Sequence, residues 1–257
     1  MFRFWLQFHP LLILCVMIGV FTVSGAVIHW LQCYSRWRER LANAALGLPT
    51  FVSISTLFAL FAAFLLADTM ERHMTAQRAV DMEAGALLGL MVGSASMEEG
   101  GQEIRTAIRD YGRLVVDEEW PAMRKEQASA SAAQALLAVM RIVSDLPPRE
   151  GVSTAVHGHM LSLSQQVVDA RASRLATVTT HFQSFSWTAL FLLGMLTQFV
   201  LGMGFLERAA SNRTVIVLFS LAAVIALWLI AIQDNPFRGP RGVSAEQILS
   251  VLEMPDS

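Results

Sequence analysis

The sequence predicts an all-α membrane protein with four transmembrane helices and a helical bundle inserted between the second and third spans. Hydrophobic residues make up 54% of the 257 residues, charged residues make up 16%, and the mean hydropathy is +0.48. This balance is far from that of soluble domains. Four apolar runs approach the roughly 20 residues that a helix needs to cross about 30 Å of hydrocarbon. The segment between the second and third runs shows helical spacing of apolar residues and no strand alternation.

The first two spans are predicted at residues 11–31 and 51–67. The first run follows Arg3 and could therefore be a cleaved signal peptide. It is longer than the roughly 7 to 15 apolar residues of a signal core, and Trp30 stands where an interfacial anchor is expected. The second run begins cleanly after Pro49 and carries no charge. We therefore interpret both runs as spans.

The third and fourth spans are predicted at residues 185–206 and 215–232, which places both termini and the central segment on one face of the membrane. Arginine counts do not decide which face is cytoplasmic. Five arginines near the two short connections stand against seven on the opposite face: Arg36, Arg38, Arg40, Arg208 and Arg213 against Arg3, Arg72, Arg78, Arg171, Arg174, Arg238 and Arg241. The formal net charge of −2 argues against a nucleic-acid partner.

The central segment is expected to hold four helices. The first continues the second span without a break. The second carries Ile104, Ile108, Tyr111 and Val115 on one stripe and should end near Pro121, because proline disfavours helix at the residue before it. The third covers about residues 129–143 and the fourth about residues 153–181. We therefore divide the chain into a first transmembrane pair, a helical bundle, a second transmembrane pair and a C-terminal turn with a short helix, at residues 1–67, 68–184, 185–232 and 233–257.

Residues that could carry chemistry in the bundle are few. His157 and His159 are two positions apart, which points their rings to different sides of a helix, whereas helical metal pairs use i, i+3 or i, i+4 spacing. The acidic trio Asp117, Glu118 and Glu119 lacks EF-hand spacing and is expected to form a solvated helix end. Only two cysteines occur in the chain, so no disulfide framework is expected. We predict no catalytic residue, no metal and no cofactor.

The last apolar run ends in the boundary motif "DNPFRG", in which Asp234, Pro236, Phe237 and Gly239 are the candidate residues. Asp234 marks the return to water, Pro236 cannot continue a helix, and Gly239 allows the chain to turn. A capping-box pattern in "SAEQ" at residues 244–247 then predicts a short final helix. We expect this motif to have a structural role.

Several segments resemble the bestrophin-like family of bacterial membrane proteins. They are "AVDMEAGALLGL" at 79–90, "YGRLVVDEEWPAM" at 111–123, the paired arginines Arg171 and Arg174, and "QDNPFRGPRGVSAEQ" at 233–247. The resemblance covers most of the chain. It groups the protein with bestrophins, which are pentameric anion channels whose second span lines the pore. The chain has no clear match to the aromatic neck motif or the acidic calcium clasp of the animal channels, so the resemblance does not extend to calcium gating.

Two functions from different classes remain at this stage. The resemblance implies an oligomeric channel in a bacterial inner membrane, with the lipid bilayer, further copies of the chain and a small anion as partners. The alternative is a membrane-anchored helical sensor or scaffold that does not conduct. For the channel, the candidate pore-lining residues lie on two opposite faces of the second span: Phe58, Phe61 and Leu65 on one, and Ser53 and Thr56 on the other. The phenylalanines suit a hydrophobic constriction or, equally, contact with lipid.

Overall fold

The computed structural model describes residues 10–43, 48–95, 97, 100–146, 154–179, 183–233, 235–237 and 242–254. All regular secondary structure within these residues is helical. In chain order the helices are α1 (Pro10–Cys33), α2 (Arg38–Asn43), α3 (Leu48–Ala95), α4 (Gly101–Leu114), a π-helical segment (Val115–Glu119), α5 (Trp120–Met123), α6 (Ala130–Ser144), α7 (Thr154–Thr179), α8 (Gln183–Met203), α9 (Ala209–Ala231) and α10 (Glu246–Leu252).

Two compact units make up the chain, and helix α3 contributes residues to both. The first, here called the span unit, comprises Met1–Met70 and His181–Asp234. The second, here called the helical unit, comprises Glu71–Thr180 and Asn235–Ser257. The C-terminal segment therefore groups with the helices of the central segment.

Among the described residues, four helices are long and apolar enough to cross a membrane, as the sequence predicts, and the span unit holds all or part of each: α1, α3, α8 and α9. Helices α1, α8 and α9 pack against one another. Their shared core includes Phe21, Trp187 and Leu190, all almost fully buried. The Phe191 ring lies 6.1 Å from that of Phe21 and 6.2 Å from that of Trp187, so aromatic packing ties α1 to α8.

Helix α3 confirms the prediction that the second span continues without a break. It contains 48 residues, which at about 1.5 Å per residue gives a helix of roughly 70 Å. No proline occurs within it after Pro49, so nothing in the sequence interrupts the helical hydrogen bonds. The predicted fourth helix of the central segment corresponds to α7, and residues 180–182, between α7 and α8, lie outside the described residues.

The helical unit is built around the stripe that the sequence predicts on its second helix. Ile104, Ile108, Tyr111 and Val115 are all fully buried. They pack with residues of α3, α6 and α7, among them Leu87, Val139 and Val167.

The helix ends at Met123, within the stretch where the sequence predicts its end, but Pro121 does not cause that end, because it lies inside the helix. A π-helical segment precedes the proline and shifts the hydrogen-bond register. Pro121 then stands in the first turn of α5, where the missing amide hydrogen and the fixed φ angle are tolerated.

The final helix forms as predicted, but its predicted cap does not. Helix α10 begins at Glu246, its N-cap is Ala245, and no side chain caps it. Because the helix starts one residue later than the pattern suggests, Ser244 lies outside it and is exposed. Helix α10 is held by burial of Ile248 and Val251.

Candidate functional site

The second span is the least covered of the four apolar helices. Only 6% of the most apolar 18-residue stretch of α3 is buried within the chain, compared with 44% for α8 and 33% for α9. A membrane-length helix with so little contact to its own chain has most of its surface available to lipid or to another subunit.

One face of α3 attaches the helix to the span unit, and two candidate pore residues lie on it. Phe58 and Leu65 are buried in the core of that unit. The Phe58 ring lies 5.6 Å from the ring of Phe219 on α9. On α8, a Cβ added to Gly194 would lie 3.3 Å from a Phe58 ring carbon, so the absence of a side chain makes room for the ring. Phe58 and Leu65 therefore attach α3 to the other helices of the span unit.

The opposite face of α3 is open and carries the other candidates. Thr56 lies about 160° around the helix from Phe58, and Ser53 lies beside it. Both are exposed, and the Ser53 hydroxyl donates to the Pro49 carbonyl at 2.9 Å. Phe61 lies about 60° from Phe58, at the flank between the two faces, with 41% of its surface exposed. The structure thus separates the five candidates into buried anchors, an open polar face and a flanking ring.

Polar side chains inside the span unit form a hydrogen-bonded network that the sequence analysis did not consider. The Gln198 amide donates to Ser220 Oγ at 2.7 Å and to the Phe21 carbonyl at 3.2 Å, and its oxygen accepts from Ser24 Oγ at 2.8 Å. Gln198 is an isolated glutamine within the third apolar run, and this was the sequence feature that could have indicated the network. Because lipid offers no hydrogen-bond partners, such contacts hold α1, α8 and α9 in register.

A second polar centre lies at the ends of the same three helices. Asn212 donates to Gln32 Oε1 at 2.9 Å and to the Gly202 carbonyl at 2.7 Å, and its oxygen lies 2.7 Å from His29 Nδ1. A Cβ on Gly202 would lie 2.1 Å from Gln32 Oε1, so glycine is required for this approach. The centre is therefore tightly packed and fully partnered at Asn212.

The helical unit contains a buried ionic cluster built from residues distant in sequence. Arg174 on α7 donates to Glu83 on α3 from Nε at 2.7 Å and from Nη2 at 3.0 Å. The same Nη2 donates to Glu119 at 2.9 Å. The side chains of Arg174, Glu83 and Glu119 have no exposed surface. Tyr111 donates its hydroxyl hydrogen to Glu83 at 2.5 Å.

Arg171, one helical turn before Arg174, completes the cluster. It donates to Glu119 from Nε at 3.1 Å and from Nη2 at 2.5 Å, and to the Ser129 carbonyl at 3.2 Å. The Ser129 amide donates to Glu119 at 3.3 Å. Two carboxylates therefore meet two guanidinium groups, and the cluster has no net charge. Such balance makes burial of Arg174, Glu83 and Glu119 tolerable beside the partly exposed Arg171.

The protonation states of Arg174 and Tyr111 follow from these contacts. Burial on its own lowers the pKa of Arg174, but the charge and hydrogen bonds of Glu83 outweigh it, and the pKa rises above its ordinary value. For Tyr111, burial is the main cause of a strongly raised pKa, and the negative charge of Glu83 raises it further. Arg174 therefore stays charged, and Tyr111 stays a hydrogen-bond donor.

These positions correct two sequence-based expectations. Glu119 was expected at a solvated helix end, but it is buried within a π-helical segment, while Asp117 and Glu118 remain exposed. Arg174 was counted among the arginines near membrane ends, but it is buried inside the helical unit. The physical reason is the same for both, because each charge has a partner far along the chain that the local pattern does not reveal.

The C-terminal boundary motif packs against this cluster through Trp120. The Arg174 guanidinium carbon lies 5.1 Å from the centre of the Trp120 ring, and the ring of Phe237 meets Trp120 edge to face at 5.5 Å. The Trp120 indole donates to the Val243 carbonyl at 3.2 Å. Of the four motif residues, Pro236 and Phe237 are buried, and Asp234 and Gly239 lie outside the described residues.

The cluster brings together the segments that carry the family resemblance. Glu83 belongs to residues 79–90, Glu119 and Trp120 to 111–123, and Phe237 to 233–247. Among the described residues, no three His, Cys, Asp or Glu side chains are placed to hold a metal ion.

Comparison with known proteins agrees with this architecture. The profile of the bestrophin-like domain matches residues 16–248. A crystal structure of a bacterial bestrophin homologue from Klebsiella pneumoniae is similar at a TM-score of 0.69 and 14% identity, over 93% of this chain and 94% of that one. The structure of another chain, described as a membrane protein, is similar at a TM-score of 0.68 and 13% identity, over 94% and 99% of the two chains. No curated protein matches the sequence.

Proposed function

Because the chain belongs to the bestrophin-like family, we propose that it forms a homo-oligomeric membrane channel in which α3 from each subunit lines a shared path for a small anion. The observation that carries this proposal is the uncovered second span. Helices α1, α8 and α9 pack against one another, whereas α3 is attached mainly through one narrow face. Further copies of the chain would cover the rest.

The chemistry of the open face supports the path. Ser53 and Thr56 supply hydroxyl groups on this side of the helix, which they share with the small residues Ala63 and Ala67 and with Leu60. Hydroxyl and small side chains suit a wetted wall or a close helix contact, both of which occur near an oligomer axis. Phe61 on the flank is placed to contact a neighbouring subunit or to narrow the path.

Chloride flux into liposomes tests the lining directly, after native mass spectrometry has established the subunit number. Thr56→Trp places a large ring on the open face and is expected to abolish flux. The matched control is Leu218→Trp on α9, which introduces the same side chain at a position that is 61% exposed on another span. It should leave flux unchanged. Equal effects of the two variants in an intact oligomer would contradict the proposed lining.

We further propose that the helical unit and both termini share one side of a bacterial inner membrane. The four apolar helices among the described residues support this, because an even number of crossings returns the chain to its starting side. Single cysteines at Asn43 and Gln134, both exposed, test it after replacement of Cys15 and Cys33. A membrane-impermeant maleimide should label them from opposite sides. Labelling from the same side would refute this topology.

A sensor or scaffold remains the second candidate because the helical unit carries a surface groove. The groove lies between α4 and α6, has a volume of about 620 Å³, and is lined in part by Glu103, Asp110 and Ile142. A monomeric protein without ion flux would favour this function over the channel.

A further inference from the structure

A second groove, of about 610 Å³, runs along the outside of α1 and α9 in the span unit. The groove forms because α1 carries small residues at the positions where α9 packs against it. A Cβ on Gly25 would lie 2.9 Å from the Ile216 side chain, so the two helices meet closely there. The neighbouring Thr22 and Ala26 are exposed and too short to fill the space above.

The length of the groove matches that of a single acyl chain. On α1 it extends from Leu14 to His29, which spans about 22 Å at about 1.5 Å per residue. That length exceeds half of the roughly 30 Å hydrocarbon thickness, so it accommodates one chain of one leaflet together with its glycerol end. Its apolar walls include Ile18, Val217 and Leu221, of which each has about half its surface exposed.

One end of the groove is cationic. Arg213 is the single charged residue among the described residues that line it, and no carboxylate lines it. Within the described part of the chain, Arg213 makes no ion pair and is exposed. It lies in the second turn of α9, one residue after Asn212, whose side chain contacts His29 near the end of α1. A phosphate group would be attracted there, whereas the remainder of the groove, lined mostly by apolar side chains, suits hydrocarbon.

We propose that this groove is a binding site for an anionic phospholipid of the surrounding membrane, with the phosphate at Arg213 and one acyl chain along α1 and α9. The site is independent of the proposed channel path. It depends on the headgroup charge for selectivity and on the small α1 residues for space.

Native mass spectrometry of the full-length protein, released from micelles containing equal amounts of phosphatidylglycerol and phosphatidylcholine with identical chains, tests both requirements. The wild type should retain phosphatidylglycerol over phosphatidylcholine by about fivefold, the selectivity that one juxtamembrane arginine supplies. Arg213→Gln should bring the ratio close to one. Arg40→Gln should not, because Arg40 stacks on Trp37 outside the groove.

A second pair of variants tests the space in the groove separately from the charge of Arg213. Ala26→Trp fills the groove and should abolish retention of both lipids. Val23→Trp introduces the same side chain at an α1 position that is 64% exposed and does not line the groove, and it should leave retention unchanged. A wild-type ratio near one, retention of detergent alone, equal losses in the two arginine variants, or retained lipid in Ala26→Trp would each overturn the proposal. The readout is bound lipid, so the result does not depend on whether the protein conducts.

Discussion

Replacement of Arg174 by methionine is expected to destabilise the helical unit by about 3–5 kcal/mol, the usual cost of removing one partner from a buried ion pair. Methionine keeps the unbranched stem but removes the guanidinium group. Two hydrogen bonds to Glu83, at 2.7 and 3.0 Å, and one to Glu119, at 2.9 Å, are lost with it. The cation–π contact with Trp120 is lost as well.

The structure assigns most of this cost to Glu83. After the substitution, Glu119 still accepts hydrogen bonds from Arg171 and from the Ser129 amide. Glu83 keeps only the hydroxyl of Tyr111 among the contacts described above, and its side chain has no exposed surface. A buried carboxylate without a cation is costly because water cannot replace the lost partner. Loss of Arg171 should therefore cost less than loss of Arg174.

Thermal unfolding of the full chain in detergent, followed by circular dichroism, measures the effect. A change of 1 kcal/mol shifts the midpoint by about 2–4 °C in proteins of 150–250 residues, so Arg174→Met should lower it by roughly 6–20 °C. The control is Arg113→Met. Its pair with Asp110 spans 3.8 Å between side chains that are 69% and 60% exposed, and such surface pairs contribute at most about 1 kcal/mol.

A double substitution tests the mechanism itself. Glu83→Gln in the Arg174→Met background removes the unpaired charge, so the double variant should be more stable than Arg174→Met alone. Strict additivity of the two single effects would show that Glu83 and Arg174 do not depend on each other. A midpoint shift for Arg174→Met no larger than that of Arg113→Met would refute the argument from burial.

Three further predictions concern the path, the boundary motif and the C-terminal helix. Phe61→Ala should raise chloride leak in liposomes by widening a hydrophobic narrowing, and unchanged flux in a verified oligomer would assign the ring to lipid or subunit contact. Pro236→Ala should lower oligomer yield more than Asp234→Asn, because Pro236 is buried and alanine in its place would allow α9 to continue as a helix; the reverse order would make the acid functional. Gly112→Ala should speed hydrogen exchange in α10, since the new Cβ would lie 2.5 Å from a Leu252 side-chain atom. Gly85→Ala is the control: its Cβ would meet no atom within 4 Å, and it should stabilise α3 by about 0.5–1 kcal/mol. Equal rates of exchange in α10 for the two variants would exclude the steric cause.

The amino-acid sequence by itself determined the helices and their apolar faces. Apolar length alone located the four membrane-length helices, because each must satisfy its own backbone hydrogen bonds over a fixed thickness. The helical period likewise identified the stripe of Ile104, Ile108 and Tyr111 that is buried in the helical unit. Both features repeat over neighbouring residues, so a local pattern is sufficient to recognise them.

Only the tertiary structure decided which polar residues are buried and what they contact. Glu83 and Arg174 are 91 positions apart, and Glu119 and Arg174 are 55 apart. The sequence around Glu119 resembles a solvated helix end, and nothing local distinguishes it from the exposed Glu118. Likewise, the pattern placed Phe58 and Phe61 on one face of α3, but packing against Phe219 buried the first and left the second open. A helix pattern specifies which residues share a face, whereas the burial of that face and the partner of each charge depend on which distant segment packs against it.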